Sequence, residues 1–158
     1  MNPTAEQIQK INHFSKVPIE LCGKIANAVN IEECGPEERL LKEGDTGDTM
    51  VLVFQGQVEV TKNMIVKTPS GIATSKKAII RLETTDPAPS SKPVTEPTVF
   101  VVQAPAFGIG EFSLVLDNAI RTANVDSTTP LKFGILDLES FTNIVKENPE
   151  IGGSVYFE

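Results

Sequence analysis

The chain has 158 residues, 40% hydrophobic and 22% charged, a balance that suits one globular domain with a sizeable core. Its formal net charge of -7 disfavours nucleic acid and anionic membrane surfaces as partners, so an anionic ligand needs a local positive site. One histidine, His13, and two separated cysteines, Cys22 and Cys34, leave a His/Cys metal cage short of ligands and supply no nucleophile grouping, which argues against an enzyme.

The opening residues, MNPTAEQIQK, carry no apolar signal core, and no later run reaches membrane-spanning length. The expected setting is the cytoplasm, with reduced thiols. Residues 4–30 read as helical. Thr4 with Gln7 fits a capping box, and Ile8, Ile11 and Phe14 recur at helical spacing. Residues 15–18 break the run, and Pro18 suits the start of a second helix with Ile19, Cys22, Ile25, Ala26 and Val29 on one face. His13, beside the break, reads as a partly exposed helical residue, because no second histidine or nucleophile pairs with it.

From Ile31 the texture changes to short strands and turns. Residues 39–41, 50–54, 58–60, 78–82, 99–102, 122–125 and 132–136 are strand candidates, and Gly44, Asp45, Gly47 and Asp48 form dense turn chemistry. The stretch TTDPAPSSKPVTEP has four prolines that deny it helix and ladder bonds, so residues 86–98 are expected to be a surface loop. Asp137 caps a closing helix over 137–149 with Phe141, Ile144 and Val145 on one face, and Gly152 with Gly153 oppose further helix. The outline is one domain: helices over 1–30, a β-roll over 31–136 and a closing helix.

Three stretches then stand in a telling order. LLKEGDTGDTMVLVFQGQVEV (residues 40–60) is similar to the early hairpin of the cyclic nucleotide-binding domain family, with Gly44, Gly47 and Gly56 at its turns. FGIGEFSLVLDNAIRTANV (residues 107–125) resembles that family's phosphate-binding cassette, and LDLESFTNIVKENPEI the helix after its β-roll. The family is the module of bacterial catabolite activator proteins and cyclic-nucleotide-dependent kinases, and the resemblance covers most of the chain. It implies a mainly β fold with flanking helices, a double-stranded β-helix or jelly-roll-like β-roll. It further implies a sensor for cAMP or cGMP, cAMP favoured, with no catalytic role, no further cofactor and no metal. The signal would pass to an effector protein or a fused output domain.

The ligand's chemistry distributes the cassette residues. A phosphate diester needs a guanidinium and backbone N–H donors, which points to Arg121 and to a helical turn at Phe112 and Ser113. Gly110 admits a close approach, and the Glu111 carboxylate suits the ribose 2′-hydroxyl. Thr122 places a hydroxyl beside the base or the phosphate. The sequence departs from the family at Ile120, where many cassettes have proline, and at Ser113, where alanine is frequent. It also departs at the C-terminus: the family's long helix over the base is represented only by residues 152–158, and Tyr156 and Phe157 read as loose ends rather than a stacking lid. A monomer is expected. The competing reading is a nucleotide-free interaction scaffold that kept the fold.

Overall fold

The computed structural model describes residues 1–85, 100–114 and 119–155, without the side chains of 64, 66, 74–79 and 112. The proline-rich stretch, residues 115–118 of the cassette, and Tyr156 and Phe157 lie outside the described residues. The capping box forms as predicted. The Gln7 N–H donates to the Thr4 hydroxyl at 3.1 Å and the Thr4 N–H to the Gln7 side chain at 2.8 Å, starting α1 (Ala5–Gln9). A 3-10 turn over Asn12–Phe14 precedes α2 (Ile19–Asn27), which begins just past Pro18, where a missing N–H is harmless. The carboxylate of Asp137 accepts the Ser140 N–H at 2.6 Å and caps α3 (Leu138–Glu147). Among the described residues no helix is long and apolar enough to cross a membrane.

The strands are β1 (Glu32–Cys34), β2 (Arg39–Leu41), β3 (Thr46–Gly47), β4 (Thr49–Gln55), β5 (Gln57–Thr68), β6 (Gly71–Thr84), β7 (Phe100–Ala104), β8 (Phe107–Ile109), β9 (Ala119–Ile120), β10 (Asn124–Ser127) and β11 (Leu131–Asp137). They form a four-stranded sheet in the order β1-β11-β4-β8, a five-stranded sheet β2-β10-β5-β6-β7 and the small pair β3-β9. β7 runs parallel to β6, and the other pairs are antiparallel.

β4 explains its own apolar run. In a strand, neighbours point to opposite faces. Met50, Leu52 and Phe54 enter one core with α1, α2 and Phe141, while Val51 and Val53 enter another with Val58, Phe107, Ile109 and Val125 inside the roll. A strand buried on both faces has no polar face to alternate with. The two clusters share this one wall.

The hairpin β5–β6 extends well past the expected 58–60 and 78–82. Its outer part carries Ile65 and Ile72, 75% and 73% exposed, so the ladder continues where no core imposes a hydrophobic period. β1, β3, β8 and β9 are two or three residues long and left no pattern to read. The expected strand at 122–125 begins only at Asn124, and Thr122 lies in the connection before it. After α3, a 3-10 turn over Pro149–Ile151 sends Ile151 back into the helical core, fully buried.

Leu52 is fully buried in the helix-side cluster. Leu52→Ala is expected to destabilise the fold by about 2–5 kcal/mol, read as a lower urea midpoint at unchanged slope.

Candidate functional site

The turn of glycines and aspartates before β4 is the seat for Arg121. The Arg121 N–H donates to the Asp45 carbonyl at 2.7 Å, and the Gly44 N–H donates to the Arg121 carbonyl at 2.8 Å. In the β3–β9 pair, Thr46 faces Ile120 and Gly47 faces Ala119, which carries the cassette's second half onto this turn. The guanidinium then passes between two glycines. A Cβ on Gly47 would stand 2.6 Å from its Cζ, and a Cβ on Gly110 would stand 2.5 Å from Nη1. Gly110 also has φ 80°, a backbone setting that side chains rarely adopt.

Arg121 is 8% exposed. Its Nη1 donates to Ser113 Oγ at 2.7 Å, and its Nη2 donates to the Thr49 carbonyl at 2.8 Å and hydroxyl at 3.1 Å. No described carboxylate pairs with it directly. Burial holds the guanidinium's pKa below its ordinary value, and the negative field of Asp48 offsets part of that effect. The outcome is a fixed cation held by neutral oxygens.

Beside it opens a concavity of about 330 Å³, within the range of small-ligand sites. Gly110, Glu111 and Ser113 line one side with Arg121 and Thr122, and Leu41 with Val60 supply apolar wall from the roll. Five of the six predicted residues therefore meet around one cavity. For the sixth, Phe112, the side chain is outside the described residues. Thr122 is exposed at the rim.

Glu111 starts a 3-10 turn over Glu111–Leu114. Its Oε2 lies 3.9 Å from His13 Nε2, with both side chains 15% exposed. Burial pushes the Glu111 carboxyl up, but the close polar contact with His13, the residue's own backbone N–H and the imidazole's charge together hold it below the ordinary carboxylate value. The Ser113 N–H, expected to face the ligand, instead donates to the Gly110 carbonyl at 3.1 Å inside the turn. Ser113 therefore offers its hydroxyl to the site, already engaged by Arg121, and no free N–H.

Sequence reasoning missed three contributors. Thr49 and Gly47 were hidden in a stretch whose turn chemistry was plain but whose partner, 72 positions on from Thr49, was not. His13 was set aside as unpartnered, because its partner comes from the cassette, far along the chain. Among the described residues no three His, Cys, Asp or Glu side chains cluster as a metal site. Burial pushes the Cys22 thiol up to about 11, the opposite of an activated nucleophile.

Gly47→Ala is expected to drive a methyl into the guanidinium and destabilise the fold by about 1–3 kcal/mol, while the same change at Gly35, open to solvent, stays within about 0.5 kcal/mol; chemical denaturation checks both. The Glu111 carboxyl titrates lower folded than unfolded, so its contribution to stability is complete above the ordinary carboxylate value and is lost as pH falls through the depressed one. Glu111→Gln is expected to flatten that acid limb of the stability–pH curve, measured by urea midpoints across the carboxylate range.

No protein-family model matches the sequence, and no curated protein matches it. Solved structures do. The N-terminal domain of a transcriptional regulator from Streptomyces coelicolor A3(2) superposes with a TM-score of 0.61 at 20% identity, over 94% of this chain and 83% of that one. A cyclic nucleotide-binding domain from Methylobacillus flagellatus KT gives 0.58 at 24% identity, over 95% and 68%. The regulatory domain of Toxoplasma gondii PKA, co-crystallised with cAMP, gives 0.57 at 19% identity over 90% of this chain, which spans 43% of that one. At these identities the likeness is one of architecture: the chain has the mainly β fold of cyclic nucleotide-binding domains, a β-roll with flanking helices.

Proposed function

We propose that the chain is a regulatory sensor module that binds a cyclic nucleotide, cAMP in preference to cGMP, and relays its occupancy to an effector protein or a fused output domain. The observation that carries this reading is Arg121, a buried guanidinium on the wall of a ligand-sized cavity, bonded to neutral oxygens only among the described residues. A desolvated cation without a direct counter-ion favours an incoming anion, and its planar fork matches two phosphate oxygens. In an acidic chain this is a local reversal of sign. It works at short range, since screening removes the field of distant carboxylates beyond roughly 8 Å.

The remaining residues take the other parts of the ligand. Glu111, with its carboxyl held below the usual range, is ionised and accepts the ribose 2′-hydroxyl. Gly110 lets the ligand approach the backbone, Ser113 and Thr122 offer hydroxyls, and Leu41 with Val60 give the purine an apolar face. cAMP is the first ligand to test because it is the one bound in the PKA co-crystal. The relay runs through the cassette turn. Leu114, 2% exposed, packs in the same cluster as Phe141 and Ile151, so movement of the turn reaches α3. Ligand shifts that arrangement only by its difference in affinity for the two positions. The role asks for binding and no bond-making, in keeping with the regulatory domains it resembles.

Calorimetric titration with cAMP and cGMP is expected to give saturable binding, tighter for cAMP. Arg121→Ala is expected to cost about 2–5 kcal/mol of affinity, as for one partner of a buried charge pair. No heat from either nucleotide at about millimolar concentration, with the circular-dichroism spectrum intact, would leave the interaction-scaffold reading in its place.

A further inference from the structure

Resting on the nucleotide reading of the cavity, we propose that His13 is a positioning residue for Glu111: it holds one carboxylate oxygen from the N-terminal helical segment so that the other faces the ribose. His13 sits in the 3-10 turn Asn12–Phe14, flanked by Ile11 and Phe14, both fully buried. Ile11 forms a bridge with Ala106, which docks this turn beside β8. The imidazole lies over Gly108, where a Cβ would stand 3.3 Å from Nδ1. Packed this way, the ring directs Nε2 at Glu111 Oε2.

Two details separate this from plain packing. Nδ1 is buried and has no hydrogen-bond partner, so the polar contact described for the ring is the one made through Nε2 toward the cassette. The 3.9 Å separation is longer than a hydrogen bond, so the carboxylate is restrained and keeps acceptor capacity for a ligand. Against burial, the largest influence on the Glu111 carboxyl, the imidazole pulls its titration down together with the residue's own backbone N–H. Around the pair, β8 brings the uncharged Gly108 and Ile109, and beyond Gly110 the Arg121 guanidinium sits in the field of Asp48. His13 therefore links the N-terminal segment to the proposed sugar-reading acid.

The test uses His13→Leu, which keeps bulk, and His13→Gln, whose amide nitrogen replaces Nε2. In the ligand-free protein, the Glu111 carboxyl followed by carbon-13 NMR is expected to titrate higher in His13→Leu than in wild type, and to return toward wild type in His13→Gln. Calorimetry then compares cAMP with 2′-deoxy-cAMP. His13→Leu is expected to weaken cAMP about tenfold, the scale of one charge-assisted hydrogen bond, and to leave the deoxy analogue within about twofold. His13→Gln should recover most of that loss. An unmoved Glu111 titration, or equal weakening of both nucleotides, would overturn the proposal and leave His13 a packing residue. Wild-type protein that binds neither nucleotide overturns the nucleotide reading itself and this proposal with it, a result visible before any His13 variant is made.

Discussion

The structure turns on one buried guanidinium. Taking a cation out of water costs several kcal/mol even after the surroundings relax, and the fold meets that with a matched set of neutral groups. Thr49 and Ser113 accept from the two terminal nitrogens, and Gly47 and Gly110 leave the space the group occupies. The backbone of Arg121 is clamped to the Gly44–Asp45 turn before its side chain begins. Two segments separated by most of the roll's sequence are thus specified by each other. A lysine here would lose the fork that bridges Ser113 and Thr49 together.

This seat is attached to a strand that belongs to two cores. Thr49 opens β4, whose alternate residues fill the roll on one side and the helical cluster on the other. The cassette turn is tied to the same strand through Arg121 and to the helical cluster through Leu114. On its other flank, Glu111 meets His13 from the N-terminal segment. Close-packed cores do not deform continuously, so a shift of this turn is felt by both sets of helices. The acid and the base also keep separate company. Burial is the largest single influence on both, and against it His13 lowers the Glu111 carboxyl while Asp48 raises the Arg121 guanidinium.

Much of this was legible in the sequence where local rules decide. The capping box at Thr4, the cap at Asp137 and the break before Pro18 are set by residues within four positions of one another, and they form as read. The cassette's resemblance grouped Gly110, Glu111, Ser113, Arg121 and Thr122, and these five line one cavity. Long-range pairings were silent. Nothing local marks Thr49 as an arginine acceptor or His13 as a carboxylate partner, because the pairing exists only once the roll closes. The Ser113 N–H went astray for a related reason: a turn only four residues long consumes its own donors. The outer β5–β6 hairpin was invisible because exposed ladder carries no hydrophobic period.

The central claim is that the Arg121 guanidinium receives an anionic diester while staying in its seat. The most direct measurement is the nitrogen-15 NMR signal of the Arg121 side chain during a cAMP titration. The account predicts one slowly exchanging, strongly shifted guanidinium resonance that saturates together with the Gly110 and Glu111 amides. A side-chain resonance that stays put while backbone amides elsewhere respond would place the ligand away from this cation and contradict the account.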